Sequence, residues 1–136
     1  MAADIYGLDI LATDIADIKG NTTRFVVMSP QSLRPDKTQP RVMTSLVFRV
    51  RSVPAALYKA LGGFATNGVN LTKIESYLVD GAFDAAQFYC EIEGHPDSDA
   101  MRNALEELAF FGKYDILGVY PAHPFRLTKT PGAVLD

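Results

Sequence analysis

From Val42 onward two hydrophobic periods alternate in a fixed order, and that order leaves few folds open. Met43 to Val50 reads as a strand, rich in β-branched and aromatic residues, with Leu46, Phe48 and Val50 on one face. Leu57, Ala60, Leu61 and Phe64 then recur at three- and four-residue spacing and predict a helix, with Pro54 in its first turn, Ser52 as cap and a stop near Asn67-Gly68. Leu71 to Val79 predicts a second strand, Asp80-Gly81 a hairpin turn, and Phe83 to Glu93 a third strand with Phe88, Cys90 and Ile92 on a common face. Asp97 or Ser98 caps a second helix carrying Met101, Ala104, Leu105, Leu108 and Phe111, and Tyr114 to Tyr120 closes as a fourth strand. The order is βαββαβ. Two right-handed βαβ halves give an α+β, ferredoxin-like arrangement: a four-stranded antiparallel sheet with two helices on one face. The other face, including Val47, is left open, and exposed apolar surface of that kind predicts a homodimer formed by sheet-edge or helix-side contact.

Residues 42–121 therefore form the main domain of a 136-residue chain, which has no room for two full domains. Thirteen basic against sixteen acidic side chains leave a charge of -3, giving no electrostatic reason to expect nucleic acid or an anionic membrane as partner. No segment reaches the roughly 20 apolar residues of a membrane span, and a lone cysteine cannot form an internal disulfide; both fit a cytoplasmic protein. Residues 30–41, rich in proline and charge, read as a linker, and 122–136 as an extended or flexible tail with no assigned function. Residues 1–29 differ. Ile5, Leu8 and Ala12 recur at helical spacing, Gly20-Asn21 supplies a turn, and Arg24 to Met28 reads as a strand. A single helix and strand cannot bury both their faces, so this stretch reads as the remnant of a larger α/β domain.

Ala2 to Ala12, followed by Asn21-Thr22-Thr23-Arg24-Phe25, resembles the end of the catalytic domain of prephenate dehydratases. Val53 to Leu61 and Leu71-Thr72-Lys73-Ile74-Glu75-Ser76 resemble the two effector motifs of the ACT regulatory domain that follows it. The resemblance implies a C-terminal portion of an enzyme that converts prephenate to phenylpyruvate in L-phenylalanine biosynthesis, with feedback inhibition by L-phenylalanine bound to the ACT domain. It implies no metal or organic cofactor. Thr23, Arg24 and Phe25 are then catalytic residues of the parent enzyme, while this chain alone, lacking most of the cleft, is expected to be inactive. Pro54, Ala55, Ala56, Leu57, Asn67, Asn70, Leu71, Ile74, Glu75 and Ser76 are the implied effector-binding residues. The family's motifs usually carry glycine at the position of Ala55 and Glu-Ser-Arg-Pro where this chain has Glu75-Ser76-Tyr77-Leu78, which implies an altered pocket for an aromatic amino acid.

Each of these residues also has a plainer reading. Thr23 is a β-branched residue entering a strand, although a hydroxyl held in a cleft can donate to a departing hydroxide. Arg24 is a surface arginine, although its fork suits a carboxylate. Phe25 is a core ring. Pro54 to Leu57 are an ordinary helix start whose amides could receive a carboxylate. His95 and His123 have no second ligand at metal spacing and read as solvent-facing or turn residues. Cys90 is core, Glu106-Glu107 a solvated helix face, and Gly62-Gly63 lies too late in a helix for a phosphate loop. A freestanding ACT module that acts only by binding amino acids or dimerising is the alternative, and Asn21 to Phe25 is the stretch such a module would not need.

Overall fold

A computed structural model describes residues 2–17, 23–51, 53–78 and 85–127. The chain divides into two units, and residues 29–128 make up the larger. That unit contains β1 (Val42–Arg51), α2 (Ala56–Thr66), β2 (Leu71–Leu78), β3 (Ala85–Glu93), α3 (Asp99–Phe111) and β4 (Gly112–Pro121), and it ends in a 3-10 turn at Pro124–Leu127. The four strands form one antiparallel sheet in the order β2-β3-β1-β4. This is the expected ferredoxin-like βαββαβ arrangement of the ACT type. The Asp80-Gly81 turn and the Ser52 cap lie outside the described residues.

The core follows the strand alternation. Leu46, Phe48 and Val50 of β1 and Phe88, Cys90 and Ile92 of β3 pack against Ala60 and Phe64 of α2 and Met101, Ala104, Leu105 and Leu108 of α3. Phe48 and Phe88, paired across β1 and β3, stack with ring centroids 5.1 Å apart. Full burial of such a side chain contributes about 1.5–3 kcal/mol, so this one cluster carries much of the unit's stability. Both helices therefore cover the same sheet face.

The helix starts differ from expectation. Pro54 stands in a turn before α2, and the N-cap is Ala55 in the left-handed region, with φ 60° and ψ 19° and no side-chain cap. Ser98 occupies the N-cap position of α3, but its hydroxyl donates to the His95 carbonyl at 2.8 Å instead of capping. The end of α2 is as expected: Asn67 is its C-cap and Gly68 takes φ 66°.

The open sheet face corrects a second expectation. In place of an apolar surface it presents Lys73, Glu75 and Tyr77 on β2, Gln87, Tyr89 and Glu91 on β3, and Ser45, Val47 and Arg49 on β1, as the strand register requires. Val47 is half-buried among polar neighbours. Apolar exposure lies instead on the two edge strands, at Ile74, Tyr77 and Leu78 of β2, which are 43%, 54% and 60% exposed, and at Ile116 and Leu117 of β4, which are 39% and 60% exposed.

Residues 30–41 are less detached than a linker reading suggests. The Pro35 carbonyl accepts from His95 Nε2 at 3.0 Å, and Arg34 pairs with Asp97 at 2.7 Å. His95, expected as a solvent-facing or turn residue, stands at the turn before α3 and is 4% exposed. Likewise the start of the tail is not extended: the Ala122 amide donates to the Arg41 carbonyl at 2.7 Å, and the 3-10 turn follows.

The smaller unit is described here by residues 2–17 and 23–28. Its helix α1 spans only Ala2–Tyr6 and ends at Gly7, where φ is 62°. Residues 24–28, expected as a strand, form none, and Phe25, expected in a core, is 84% exposed. A β-forming run without a neighbour to complete its ladder gains no backbone hydrogen bonds from extending. Gly20, Asn21 and Thr22 lie outside the described residues.

Candidate functional site

The implied effector residues occupy three places in the fold. Pro54 to Leu57 lie where β1 hands over to α2, at the end of the sheet where Arg51 pairs with Ala85 and Leu78 with Ala86. Asn67, Asn70 and Leu71 lie at the other end, where Leu71 pairs with Ile92 and the Glu93 amide donates to the Asn70 carbonyl at 2.9 Å. The nine α2 residues Tyr58–Thr66 separate the two groups, about 15 Å from Leu57 to Asn67 at the usual helical rise. Ile74, Glu75 and Ser76 sit midway along the edge strand.

Strand parity divides the last three. Ile74 and Ser76 pair with Cys90 and Phe88 and so lie on the helix side, whereas Glu75 pairs with Tyr89 and lies on the open face. Glu75 is already engaged there. It accepts from Lys73 Nζ at 2.8 Å and from the Tyr77 hydroxyl at 2.8 Å, and that hydrogen bond raises the Tyr77 phenol above its ordinary pKa. Tyr77, at the position where the family's motif carries arginine, thus holds Glu75 along its own strand.

The amide groups are oriented too. Asn67 Nδ2 donates to the Gly63 carbonyl at 2.8 Å and to Glu107 Oε1 at 2.9 Å. Both partners are acceptors, so the amide oxygen is turned away from them and remains available to accept. Asn70 Nδ2 donates to Glu93 Oε2 at 2.9 Å. Glu107, read as a solvated face residue, is therefore a determinant of how Asn67 points. Its role had no local signal, since the two are forty positions apart in the chain.

At the start of α2 the chemistry is that of backbone. The Ala56 amide is used by the Val53 carbonyl at 3.1 Å and the Ala55 carbonyl by the Lys59 amide at 3.0 Å, and no ionisable side chain stands among Pro54 to Leu57. Such a helix start suits a carboxylate through its remaining first-turn amides. Thr23, Arg24 and Phe25 are exposed residues of the smaller unit. Among the described residues no three metal-ligating side chains gather, and no helix is long and apolar enough to cross a membrane. Cys90 is fully buried, and burial pushes its thiol up to about 12, so a nucleophilic role is excluded at ordinary pH.

A ferredoxin-like domain of the ACT type, with two separated motif groups along one helix and an open edge strand, is the class that fold and site define. The sequence pattern of the prephenate dehydratase family matches residues 1–33. The chain is 50% identical over 127 residues, 93% of its length, to a bifunctional N-acyl-homoserine lactone acylase/prephenate dehydratase of Komagataeibacter europaeus, covering 45% of that protein. It is 38% identical over 120 residues to a prephenate dehydratase of Corynebacterium glutamicum, covering 83% of this chain and 38% of that one. Among solved structures, a prephenate dehydratase from Arthrobacter aurescens in complex with L-Phe aligns with TM-score 0.59 at 28% identity, over 68% of this chain and 30% of that one. The chain belongs to the prephenate dehydratase family, and what it matches is consistent with the family's C-terminal portion. It spans less than half the length of these curated relatives.

Proposed function

We propose that this chain is the C-terminal part of a prephenate dehydratase and that its ACT-type domain binds L-phenylalanine, or a related aromatic amino acid, between two copies of the domain to inhibit prephenate dehydration by feedback. The observation that carries this reading is the separation of the motif groups. An amino acid cannot reach from Pro54–Leu57 to Asn67 and Asn70 across about 15 Å of one helix. A two-fold pairing of β2 edges supplies the missing half. In an antiparallel β2–β2 pair, the Leu78 end of one strand lies beside the Leu71 end of the other. The end of the sheet that carries Pro54–Leu57 then borders the end that carries Asn67 and Asn70 of the second copy. The carboxylate sits on the first-turn amides of α2, the ammonium meets the outward amide oxygen of Asn67, and the ring enters apolar surface next to Ile74. Thr23, Arg24 and Phe25 serve the parent enzyme's active site and do no chemistry in this chain by itself.

Light scattering should return twice the chain mass of 14.9 kDa. Thermal shift and calorimetry with phenylalanine, tyrosine, tryptophan and leucine then test the site. A ligand at about 100 times its dissociation constant adds about 2.7 kcal/mol per independent site. The reading fails if the folded dimer binds no aromatic amino acid at millimolar concentration, and the dimer fails if the protein stays monomeric at tens of micromolar. Prephenate incubated with the pure chain should give phenylpyruvate no faster than the spontaneous rate.

A further inference from the structure

The open face of the sheet holds a carboxylate that the effector reading does not use. Glu91 is 1% exposed near the end of β3, at a position whose strand parity assigns it to the face without helices. Burying a carboxylate there is costly unless a cation and hydrogen-bond donors meet it. Donors do meet it: the Tyr89 hydroxyl stands 2.8 Å from Glu91 Oε1, and Arg126 donates to Oε2 at 2.8 Å. Beside them the Ser45 and Tyr120 hydroxyls are 2.8 Å apart, and the Tyr89 hydroxyl is 3.3 Å from Ser45 Oγ. Lys73, paired with Glu75, borders the cluster with its amino group 5.7 Å from the centre of the Tyr89 ring. We propose that Ser45, Tyr89, Glu91 and Tyr120 form a recess for a guanidinium or ammonium group, and that Arg126 is its built-in occupant, making Pro124–Leu127 a releasable strap.

The two parts differ in how firmly they are built. The recess comes from β1, β3 and β4, which are paired along their lengths. The strap is a four-residue 3-10 turn beyond the last strand, with Phe125 still 53% exposed. A turn of that length has little stability of its own, so the side-chain latch adds to the backbone contacts that hold it, among them the Ala122 amide on the Arg41 carbonyl. When Arg126 leaves, Glu91 Oε2 loses that charged donor, and a lysine or arginine side chain of a binding partner has the chemistry to replace it. Burial raises the Tyr89 phenol above its ordinary pKa, which keeps it a neutral donor to Glu91.

Chemical rescue tests this in the full chain. Arg126→Ala should lower the melting temperature by about 5–10 °C. Guanidinium chloride at about 20 mM, far below denaturing levels, should restore more of that loss than sodium chloride at equal ionic strength, because it binds the folded recess. The wild type should gain nothing from guanidinium, and adding Glu91→Gln should abolish the rescue. Equal responses to guanidinium and sodium, or rescue that persists with Glu91→Gln, would overturn the proposal. Should Arg126→Ala not fold, Arg126→Met studied by hydrogen exchange in a wild-type-like folded sample decides: amides of the strap should exchange roughly tenfold faster while β3 stays protected, and unchanged strap exchange overturns it.

Discussion

Gly63 of α2 lies against Glu107 of α3 so closely that a Cβ on the glycine would stand 2.7 Å from the Glu107 Cβ and 3.2 Å from the Ala104 carbonyl oxygen. The absence of a side chain at Gly63 is therefore what lets the two helices approach, and the approach in turn brings Glu107 to Asn67. Gly62, one position earlier, has nothing within 4 Å of where its Cβ would be.

These two neighbours give opposite predictions. Gly62→Ala should stabilise the protein by about 0.5–1 kcal/mol, because alanine restricts the unfolded chain and favours the helix. Gly63→Ala should destabilise it by about 1–3 kcal/mol through overpacking, despite the same propensity gain. Urea denaturation of both variants checks the pair. Equal shifts in midpoint would show that the helix contact does not decide the effect.

Ala55 carries strain that a glycine would not. Its φ of 60° is a left-handed conformation, costing an ordinary L-residue about 1–2 kcal/mol. Ala55→Gly relieves that cost but admits more unfolded-state freedom, about 0.5–1 kcal/mol. The net expectation is a gain of about 0.5–1 kcal/mol in denaturation experiments. A loss of stability would mean that the methyl group makes packing contacts that outweigh the strain.

The main domain was legible because its two periods are strong. Alternation at Leu46, Phe48 and Val50 and the three- and four-residue spacing of Leu57, Ala60, Leu61 and Phe64 assigned each element and its inner face, and the boundaries moved by one or two residues. Alternation of Phe88, Cys90 and Ile92 put Glu91 on the other face of its strand, but it could not say that Glu91 would be covered, since Arg126 arrives from 35 positions away. Local patterns also misread Phe25 and the residues around it. A strand is a property of a pair, and Arg24 to Met28 form none here. The resemblance named the implied effector residues but not how they distribute over the fold, because the length of α2 and the parity of β2 act only once the sheet is assembled.

The Cys90 thiol predicts how stability falls in alkali. Burial holds it at about 12, against 9.0 for the unperturbed group. The unfolded chain therefore loses its proton first, and the contribution is complete below about pH 9 and lost as pH rises toward 12. The slope reaches about 1.4 kcal/mol per pH unit between those limits. Tyr89, also raised by burial, adds to the fall only above about pH 10, so the interval from 9 to 10 isolates the cysteine. Cys90→Ala should flatten that interval, and the native thiol should resist alkylation at pH 8 until the protein unfolds. Rapid modification of the folded protein would contradict the buried state.

His95 makes the last prediction, because it ties residues 34–36 to the turn before α3. Nδ1 accepts from the Asp97 amide at 3.1 Å, so the neutral ring carries its proton on Nε2 and donates it to the Pro35 carbonyl at 3.0 Å. With the His95 side chain 4% exposed, His95→Ala removes two part-buried hydrogen bonds, each contributing about 0.5–1.5 kcal/mol, and should cost about 1–3 kcal/mol. The nearby Arg34–Asp97 pair cannot make up the loss: its side chains are 52% and 56% exposed, and surface pairs contribute about 0–1 kcal/mol. Asp97→Asn should accordingly shift the midpoint far less than His95→Ala. The effect should also be local. Lys37 lies two residues beyond the anchored Pro35, so native-state trypsin cleavage after Lys37 should accelerate in His95→Ala and hardly change in Asp97→Asn. Equal cleavage rates in all three proteins, with equal denaturation midpoints, would show that the ring does not hold this segment to the domain.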